Sequence, residues 1–263
     1  MSLDYLQMFA GLFRCLDFRD KLSLVFYAIE VLVFRVFKWR IRDSFLIHLG
    51  GMKYSVKTNT GDLGCIYVVN CERIYEKVSG FLVKEGQTCL DVGANIGCVS
   101  LSWARSNKSG IIVAIEPHPA TFERLVKNRE LNGATNVKLL HAAASRQSGT
   151  VALEVDDDSS MAHTGGSDMP SLNKFRIVEV PAYSLDEVVR KYQLAAVDLL
   201  KIDVEGYEME CLHGAGETLR ITDRVIVEYH SERLRQECRN LLIQNGFLLQ
   251  EESGSIFASK KRE

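Results

Sequence analysis

Three apolar runs of the chain each carry an acidic side chain into or beside a turn. Asp91 stands just before Gly93 in the first run, Glu116 closes the second, and Asp203 ends the third shortly before Gly206. Short apolar runs bounded by glycine are typical of buried strands, and the carboxyl ends of parallel strands meet at one edge of a sheet. Carboxylates collected there can accept hydroxyl hydrogen bonds, attract a cationic ligand or remove a proton. The pattern predicts a nucleotide-cofactor site with acid–base groups nearby.

The first run leads into a strand, glycine turn and helix. Gly93 starts the turn and Gly97 closes it as the helix begins, with Asn95 between them. Because glycine has no Cβ, a ligand can approach the backbone closely, and the start of the helix offers unpaired N–H groups. The spacing G-x-x-x-G lacks the third glycine of the dinucleotide fingerprint G-x-G-x-x-G, which counts against NAD.

The acidic residues favour a methyl donor as the cofactor. A carboxylate at Asp91 would repel a pyrophosphate but attract the ammonium and sulfonium charges of S-adenosylmethionine. Glu116 follows Gly97 by 19 residues, close to the ~20-residue offset at which an acid meets the ribose hydroxyls in such folds. We therefore expect S-adenosylmethionine to bind here.

Three stretches together resemble one known family. They are DVGANIG from Asp91, Glu116-Pro117, and DLLKIDVEG from Asp198 followed by Tyr207-Glu208. Across roughly residues 75–257 the chain is similar to the FkbM family of S-adenosylmethionine-dependent methyltransferases. The resemblance implies the fold, the donor and O-methyl transfer to a sugar, polyketide or other hydroxyl-bearing acceptor. It also implies that a Tyr-Glu pair, matched here by Tyr75 and Glu76, borders the cofactor.

The predicted cofactor site has three parts. The glycine loop would hold the methionine end, Glu116 the ribose hydroxyls, and small residues after the strand 137–140 the adenine ring. The residues assigned to cofactor binding are Glu76, Asp91, Gly93, Asn95, Gly97, Glu116, Pro117, His141, Ala142 and Ala143.

A second cluster is predicted to remove the acceptor proton. The strands ending at Asp203 and Glu228 would deliver Asp203, Glu205, Glu228 and His230 to the same edge. Histidine is the natural base because its ordinary pKa of about 6.5 leaves it neutral at pH 7. The structural alternatives are that Asp203 caps a turn, that Glu205 pairs with Lys201, or that His230 caps a helix. The cluster could also hold a divalent cation, but its spacing is not diagnostic and we expect no metal.

Two rival functions share these features. An NAD-dependent oxidoreductase would use the same sheet and Glu116, although it needs the glycine that this loop lacks. A non-catalytic nucleotide-binding protein could retain the fold without turnover.

Composition narrows the partners and the compartment. The chain has 263 residues, 46% of them hydrophobic, and its 32 basic and 34 acidic residues give a net charge of −2. No overall basic field of the kind that nucleic-acid binding normally needs is present, so we expect a small-molecule or glycan acceptor. Seven cysteines without a C-x-x-C pair are interpreted as thiols, and no signal-peptide pattern is found. A cytoplasmic location is expected.

Residues 1–50 are predicted to be a helical appendage. The apolar run Leu22–Phe37 is too short to span a bilayer and is interrupted by Glu30 and Arg35. We expect it to pack on the catalytic domain or on a second copy in a homodimer. An interfacial helix making peripheral membrane contact is the alternative.

The remaining chain is predicted to form a small cap and one large domain. The cap, residues 51–85, would contain strands Lys53–Val56 and Cys65–Val69 and a helix over 72–82. In residues 86–263, strands alternate with helices, which is typical of an α/β, doubly wound, mostly parallel Rossmann-like sheet. A C-terminal hairpin, Phe247–Gln250 with Ser255–Ala258, would add an antiparallel edge, and residues 156–173 would be a lid or a disordered loop.

Overall fold

The computed structural model describes residues 3–16, 18–37, 44–57, 61–155, 162–163 and 176–260. In these ranges the helices are α1 Leu3–Cys15, α2 Phe18–Phe37, α3 Asp62–Ile66, α4 Cys98–Ser106, α5 Pro119–Leu131, α6 Leu185–Lys191, α7 Glu208–His213, α8 Gly216–Arg220 and α9 Glu232–Gln244. The strands are β1 Ser44–Leu49, β2 Met52–Lys57, β3 Thr88–Val92, β4 Ile111–Glu116, β5 Val137–His141, β6 Ala143–Ala144, β7 Gly149–Val155, β8 Ala162–His163, β9 Arg176–Tyr183, β10 Leu199–Ile202, β11 Arg224–Glu228, β12 Phe247–Glu252 and β13 Ser255–Lys260.

A seven-stranded sheet forms the centre of the molecule. Its order is β12-β13-β11-β10-β3-β4-β5. The five strands from β11 to β5 run parallel, and β13 pairs antiparallel with both β11 and β12. The predicted α/β, doubly wound sheet and its closing antiparallel hairpin are confirmed. Because β3, β4, β10 and β11 all point the same way, their carboxyl ends meet at one edge.

Alternate residues of the central strands face two different cores. In β3, Cys89 packs with α4 and α5, whereas Leu90 packs with the helices α6 to α9 on the opposite side. Strands covered on both faces bury every apolar side chain, which is why these runs are continuously hydrophobic in the sequence. Each fully buried leucine or isoleucine contributes about 1.5–3 kcal/mol.

Serine side chains cap the first turns of two helices. Ser184 Oγ accepts the backbone N–H of Glu187 at the start of α6, and Ser231 Oγ accepts that of Leu234 at the start of α9. Such caps satisfy N–H groups that have no partner within the helix and stabilise it by about 1 kcal/mol each.

The N-terminal elements share a core with the sheet. Tyr27 of α2 packs edge to face on Phe45 of β1 at 5.7 Å, and Asp20 accepts the backbone N–H of His48 at 2.8 Å. Leu24 and Tyr27 belong to the same buried cluster as the sheet face that packs on α4. The hairpin of β1 and β2 spans the boundary predicted at residues 50 and 51. Among the described residues, the helices are too short or too polar to cross a membrane.

Two predicted elements of the cap are wrong. Cys65–Val69 is helical, since it spans the end of α3 and a π-helical turn over Tyr67–Glu72, and the partner of β2 is β1. A short apolar run fits a strand or a buried helix equally well, and periodicity cannot separate them. The helix expected over 72–82 is reduced to a 3-10 turn, Ile74–Glu76, because Arg73 adopts a positive φ of 52° and interrupts it. The loop 156–173 lies outside the described residues except for 162–163.

Candidate active site

Gly93 lies where the glycine loop meets the end of β10. Its φ is +75°, and a Cβ built on it would lie 1.7 Å from the carbonyl oxygen of Asp203. Only glycine allows this approach. Gly97 also has a positive φ, but a Cβ there would meet Leu125 at 2.6 Å, so this glycine serves helix packing. The loop therefore joins β3 to β10 through backbone contact.

A cleft opens at the carboxyl edge of the sheet. Eight of the residues predicted for the site line it: Gly93, Asn95, Glu116, Pro117, Ala142, Ala143, Asp203 and Glu205. The cleft thus brings the predicted ribose acid and part of the predicted catalytic cluster to one cavity.

Glu116 is buried at the wall of the cleft, at the end of β4. Its carboxylate accepts the backbone N–H of Asn95 at 2.8 Å and that of His118 at 2.9 Å. Burial raises the pKa of Glu116 to about 7, although the two N–H donors favour the charged form. Each carboxylate oxygen retains acceptor capacity for a ligand hydroxyl.

Asp91 is not among the residues that line the cleft, and its contact with the methionine end stays a prediction. Its carboxylate is fully buried, accepts the hydroxyl of Ser100 and lies 3.3 Å from Lys201 Nζ. Lys201 Nζ also donates to the carbonyl of Gly93 at 2.9 Å and lies 3.3 Å from Asp203 Oδ2. Burial alone would lower the pKa of Lys201, but Asp203 and Asp91 outweigh it and raise that pKa above its ordinary value.

Three other residues assigned to the cofactor also do not line the cleft. Glu76 forms an ion pair with Arg73. His141 Nε2 lies 3.1 Å from the carbonyl of Pro117, and its ring stacks on Phe122. Together with Gly97, these residues have structural partners, and the contacts of Glu76, Gly97 and His141 with the cofactor stay predictions.

The four predicted catalytic residues do meet. His230 Nε2 lies 3.3 Å from Glu205 Oε2 and 3.8 Å from Asp203 Oδ1. Single ligand-type atoms of Asp203, Glu228 and His230 lie within 4.8 Å of one another. Tyr75 donates its hydroxyl to Glu228 at 2.7 Å. Two strands therefore assemble the cluster, as the parallel topology predicted.

The structure gives the residues of this cluster other partners than the structural alternatives assigned to them. Lys201 pairs with the aspartates, and Glu205 pairs with His230. Ser231 is the residue that caps α9. The turn N–H of Gly206 donates to Glu208.

His230 is a cation at pH 7, which corrects the expectation that it is neutral. Burial alone would lower its pKa, but the contact with Glu208 and the charges of Glu205 and Asp203 raise it to about 9. The pKa of Glu228 is also raised, by burial and by Asp203. The free cluster therefore holds a proton that must leave before His230 can accept one.

Sequence reasoning missed two partners of the cluster. Glu208 contacts His230 from 22 positions away, and Tyr75 contacts Glu228 from 153 positions away. Neither pairing has a local spacing signal. Lys201 could have been placed, because it stands two residues before Asp203 on the same strand and so faces the same side.

Comparison with known proteins identifies relatives over the sheet and cleft. Hexuronic acid methyltransferase AglP of Haloferax volcanii is 32% identical over 151 residues, 56% of this chain and 58% of its own length. Methyltransferase sdnD of Sordaria araneosa is 30% identical over 191 residues, covering 60% of this chain and 72% of its own. The 2-O-methyltransferase NoeI of Sinorhizobium fredii is 22% identical, covering 62% and 71%.

A solved structure also matches this chain at low sequence identity. M. jannaschii TYW2 in complex with AdoMet is 16% identical, covers 84% of this chain and 85% of its own, and has a TM-score of 0.44. The family model for the methyltransferase FkbM domain matches residues 91–250, which include both Glu116 and the cluster around His230. More than half of the chain is matched, and the chain belongs to the FkbM family of S-adenosylmethionine-dependent methyltransferases.

Proposed function

We propose that the protein transfers a methyl group from S-adenosylmethionine to a hydroxyl oxygen of a sugar, polyketide or other small acceptor. The observation that carries this proposal is one cleft lined by Glu116 and by Asp203 and Glu205, with His230 beside the two acids. A donor-binding acid and proton-accepting groups thus share a cavity.

The residues that line the cleft fit the cofactor. Glu116 would accept ribose hydroxyls, and Gly93 of the glycine loop lines the same cleft. Ala142 and Ala143 leave room for a flat ring. When bound, S-adenosylmethionine supplies a methyl group that the acceptor oxygen takes as the carbon–sulfur bond breaks, the electron pair of that bond remaining on sulfur.

The protein's own contribution is to orient the acceptor and to take its proton. His230 Nε2 faces Asp203 and Glu205, so a hydroxyl bound among these residues would lose its proton to Nε2 of His230. Lys201 offsets part of the negative charge and holds Asp203 in place. We propose that this step needs no metal ion, because Tyr75 and Lys201 already occupy the carboxylates of Glu228 and Asp203.

The acceptor is proposed to be a small molecule or glycan and not a nucleic acid. The net charge is −2, and the described acids of the cleft would repel a phosphate backbone. The relatives named for hexuronic acid and 2-O-methyl transfer support a sugar. A labelled-methyl assay over panels of sugars, polyketide alcohols and peptides tests this. Binding of S-adenosylmethionine without transfer to any acceptor would favour the non-catalytic alternative. Co-purified NAD, detected by mass spectrometry, would favour the oxidoreductase.

We expect cofactor affinity to depend on pH through Glu116. Its pKa of about 7 means that the carboxylate ionises between pH 5.5 and 8, and charged acceptors form the stronger hydrogen bonds. Affinity measured by calorimetry should rise about tenfold or more over this range. The contribution of Glu116 to folding stability changes in the opposite direction. Because the pKa of this carboxyl is raised in the folded protein, its stabilising contribution is complete below the pKa of the unfolded chain and is lost as the pH rises through 7.

The matched variants are Glu116→Gln and Glu123→Gln. The Glu116→Gln variant should bind S-adenosylmethionine weakly, with an affinity that does not change with pH. Glu123 is exposed on α5, so the Glu123→Gln variant should bind S-adenosylmethionine as the wild type does. A wild-type affinity that does not change with pH would contradict the assignment of Glu116.

We propose that the outer face of α2 joins two copies of the protein. This face consists of Phe18, Leu22, Val25, Phe26 and Ile29, with Phe18 77% and Phe26 56% exposed. Their helical spacing makes one continuous apolar stripe, which monomers rarely leave exposed.

Light scattering should show that the wild type is a dimer. The double variant Leu22→Glu, Phe26→Glu should be a monomer with an unchanged Tm. Ile243→Glu, at an exposed position of α9, is the control. A monomeric wild type would refute the dimer, and wild type that sediments with lipid vesicles would favour the peripheral membrane alternative.

We also propose a cytoplasmic location. All seven cysteines are thiols in the structure, which is typical of a reducing compartment. Cell fractionation should find the protein in the soluble fraction, and pelleting that resists carbonate extraction would contradict this.

A further inference from the structure

We propose that Glu208 is the positioning residue for His230. It holds the imidazole through Nδ1, so that Nε2 faces Asp203 and Glu205 at the cleft. This inference rests on the proposed function, in which His230 takes the acceptor proton, and it assigns a role to a residue outside the cleft.

The geometry of Glu208 is that of a fixed support. It is the first residue of α7, its side chain is fully buried, and its Oε1 lies 2.6 Å from His230 Nδ1. The same oxygen accepts the backbone N–H of Gly206 at 2.9 Å. Glu208 is thus anchored to the turn that follows Asp203, and its position relative to the cluster does not depend on a flexible surface side chain.

The carboxylate is otherwise poorly compensated. Glu208 Oε2 is buried and has no hydrogen-bond partner among the described residues. Burying a carboxylate is costly unless it is paired and hydrogen-bonded. The imidazole is its one charged contact in these ranges. The buried carboxylate of Glu208 therefore stabilises the form of His230 that carries a proton on Nδ1.

The groups on the other side of the ring are different in kind. Asp203 and Glu205 approach Nε2 from the loop after β10, at 3.8 and 3.3 Å, and both are partly exposed. Glu228 approaches from β11, and Lys201 Nζ lies 3.3 Å from Asp203. Water and ligands can screen these contacts, whereas the carboxylate of Glu208 is fully buried.

The consequence is a fixed tautomer. The Nδ1–H remains with the buried acceptor, and the proton that leaves the imidazolium is the one on Nε2. The lone pair that results points toward Asp203, Glu205 and the cleft. Without Glu208, the neutral ring could carry its proton on either nitrogen, and a proton on Nε2 would block acceptance from a hydroxyl.

The first test reads the ring directly and needs no activity. In protein with ¹⁵N-labelled histidine, NMR titration reports the pKa and tautomer of His230, whose signals are identified by their loss in His230→Gln. We expect a wild-type pKa near 9 with Nε2 unprotonated in the neutral ring. In Glu208→Gln the pKa should fall by at least about one unit, and the Nδ1–H tautomer should lose its dominance.

Glu210→Gln is the matched control. Glu210 lies on the same helix but pairs with exposed Arg146, so the titration of His230 should be unchanged. A neutral wild-type ring with its proton on Nε2 would overturn the inference without any variant. An unchanged pKa and tautomer in Glu208→Gln would overturn it as well.

The second test uses the pH profile of kcat/KM. The rising limb near pH 9 should move to lower pH by at least about one unit in Glu208→Gln, and the plateau above it should fall about tenfold or more. A support needed only for folding would lower the rate without moving the limb. If the wild type methylates no acceptor, the proposed function fails, and the titration alone decides the role of Glu208.

Discussion

Single-turnover methyl transfer should fall at least ~10²-fold when His230 is replaced by glutamine or Asp203 by asparagine, with cofactor affinity unchanged. His230 Nε2 and Asp203 Oδ1 lie 3.8 Å apart, and Asp203 lines the cleft. Loss of either removes a proton acceptor or its charged neighbour. His213→Gln is the control, because His213 lies on α7 and contacts exposed Arg146.

The rate of the wild type should also rise with pH. With a pKa near 9 for His230, the neutral fraction grows about 50-fold between pH 7 and pH 9. The raised pKa also means that the charged histidine stabilises the folded protein below pH 6.5 and that this stabilisation is lost as pH passes 9. The rate and the stability therefore change in opposite directions.

Each reaction is run with and without EDTA. Loss of wild-type activity in EDTA that magnesium or manganese restores would overturn the metal-free proposal. Full activity in both His230→Gln and Asp203→Asn would remove these residues from the mechanism.

Gly93→Ala should destabilise the protein by about 2–5 kcal/mol. A left-handed φ costs a residue with a Cβ about 1–2 kcal/mol, and forcing the Asp203 backbone aside adds about 1–3 kcal/mol. The Cβ would otherwise lie 1.7 Å from the Asp203 carbonyl. Urea denaturation measures the change, and binding of S-adenosylmethionine should weaken with it because the loop lines the cleft.

Gly133→Ala is the matched control for this variant. Gly133 also has a positive φ, of 57°, but nothing lies within 4 Å of its added Cβ. Only the conformational cost of about 1–2 kcal/mol should appear. Equal losses at Gly93 and Gly133 would show that the contact with Asp203 carries no energy.

The sheet and the cluster could be predicted because both follow from local patterns. Continuous apolar runs indicated β3, β4 and β10, and parallel strands necessarily end at one edge. Asp203 and His230 are therefore close for a reason that the sequence already contains.

The rest depended on tertiary contacts that leave no local signal. The pairing of buried Asp91 with Lys201 joins two strands that are far apart in the sequence, so spacing could not indicate it. The protonation of His230 is set by Glu208 and Glu205, whose distances from the ring cannot be derived from spacing. The helical form of Cys65–Val69 was decided by packing.

The link between Gly93, Lys201 and Asp203 has a consequence for how acceptor choice can be changed. The ammonium group of Lys201 contacts both the carbonyl of Gly93 and the carboxylate of Asp203, and the two backbones touch. The donor side and the proton-accepting side therefore move as a single rigid unit, which leaves little freedom for substitutions within it. Diversification toward new acceptors has to use the cleft walls outside this unit, such as Leu153 and Tyr207, where a substitution reshapes the entrance and leaves the alignment of the reacting groups intact.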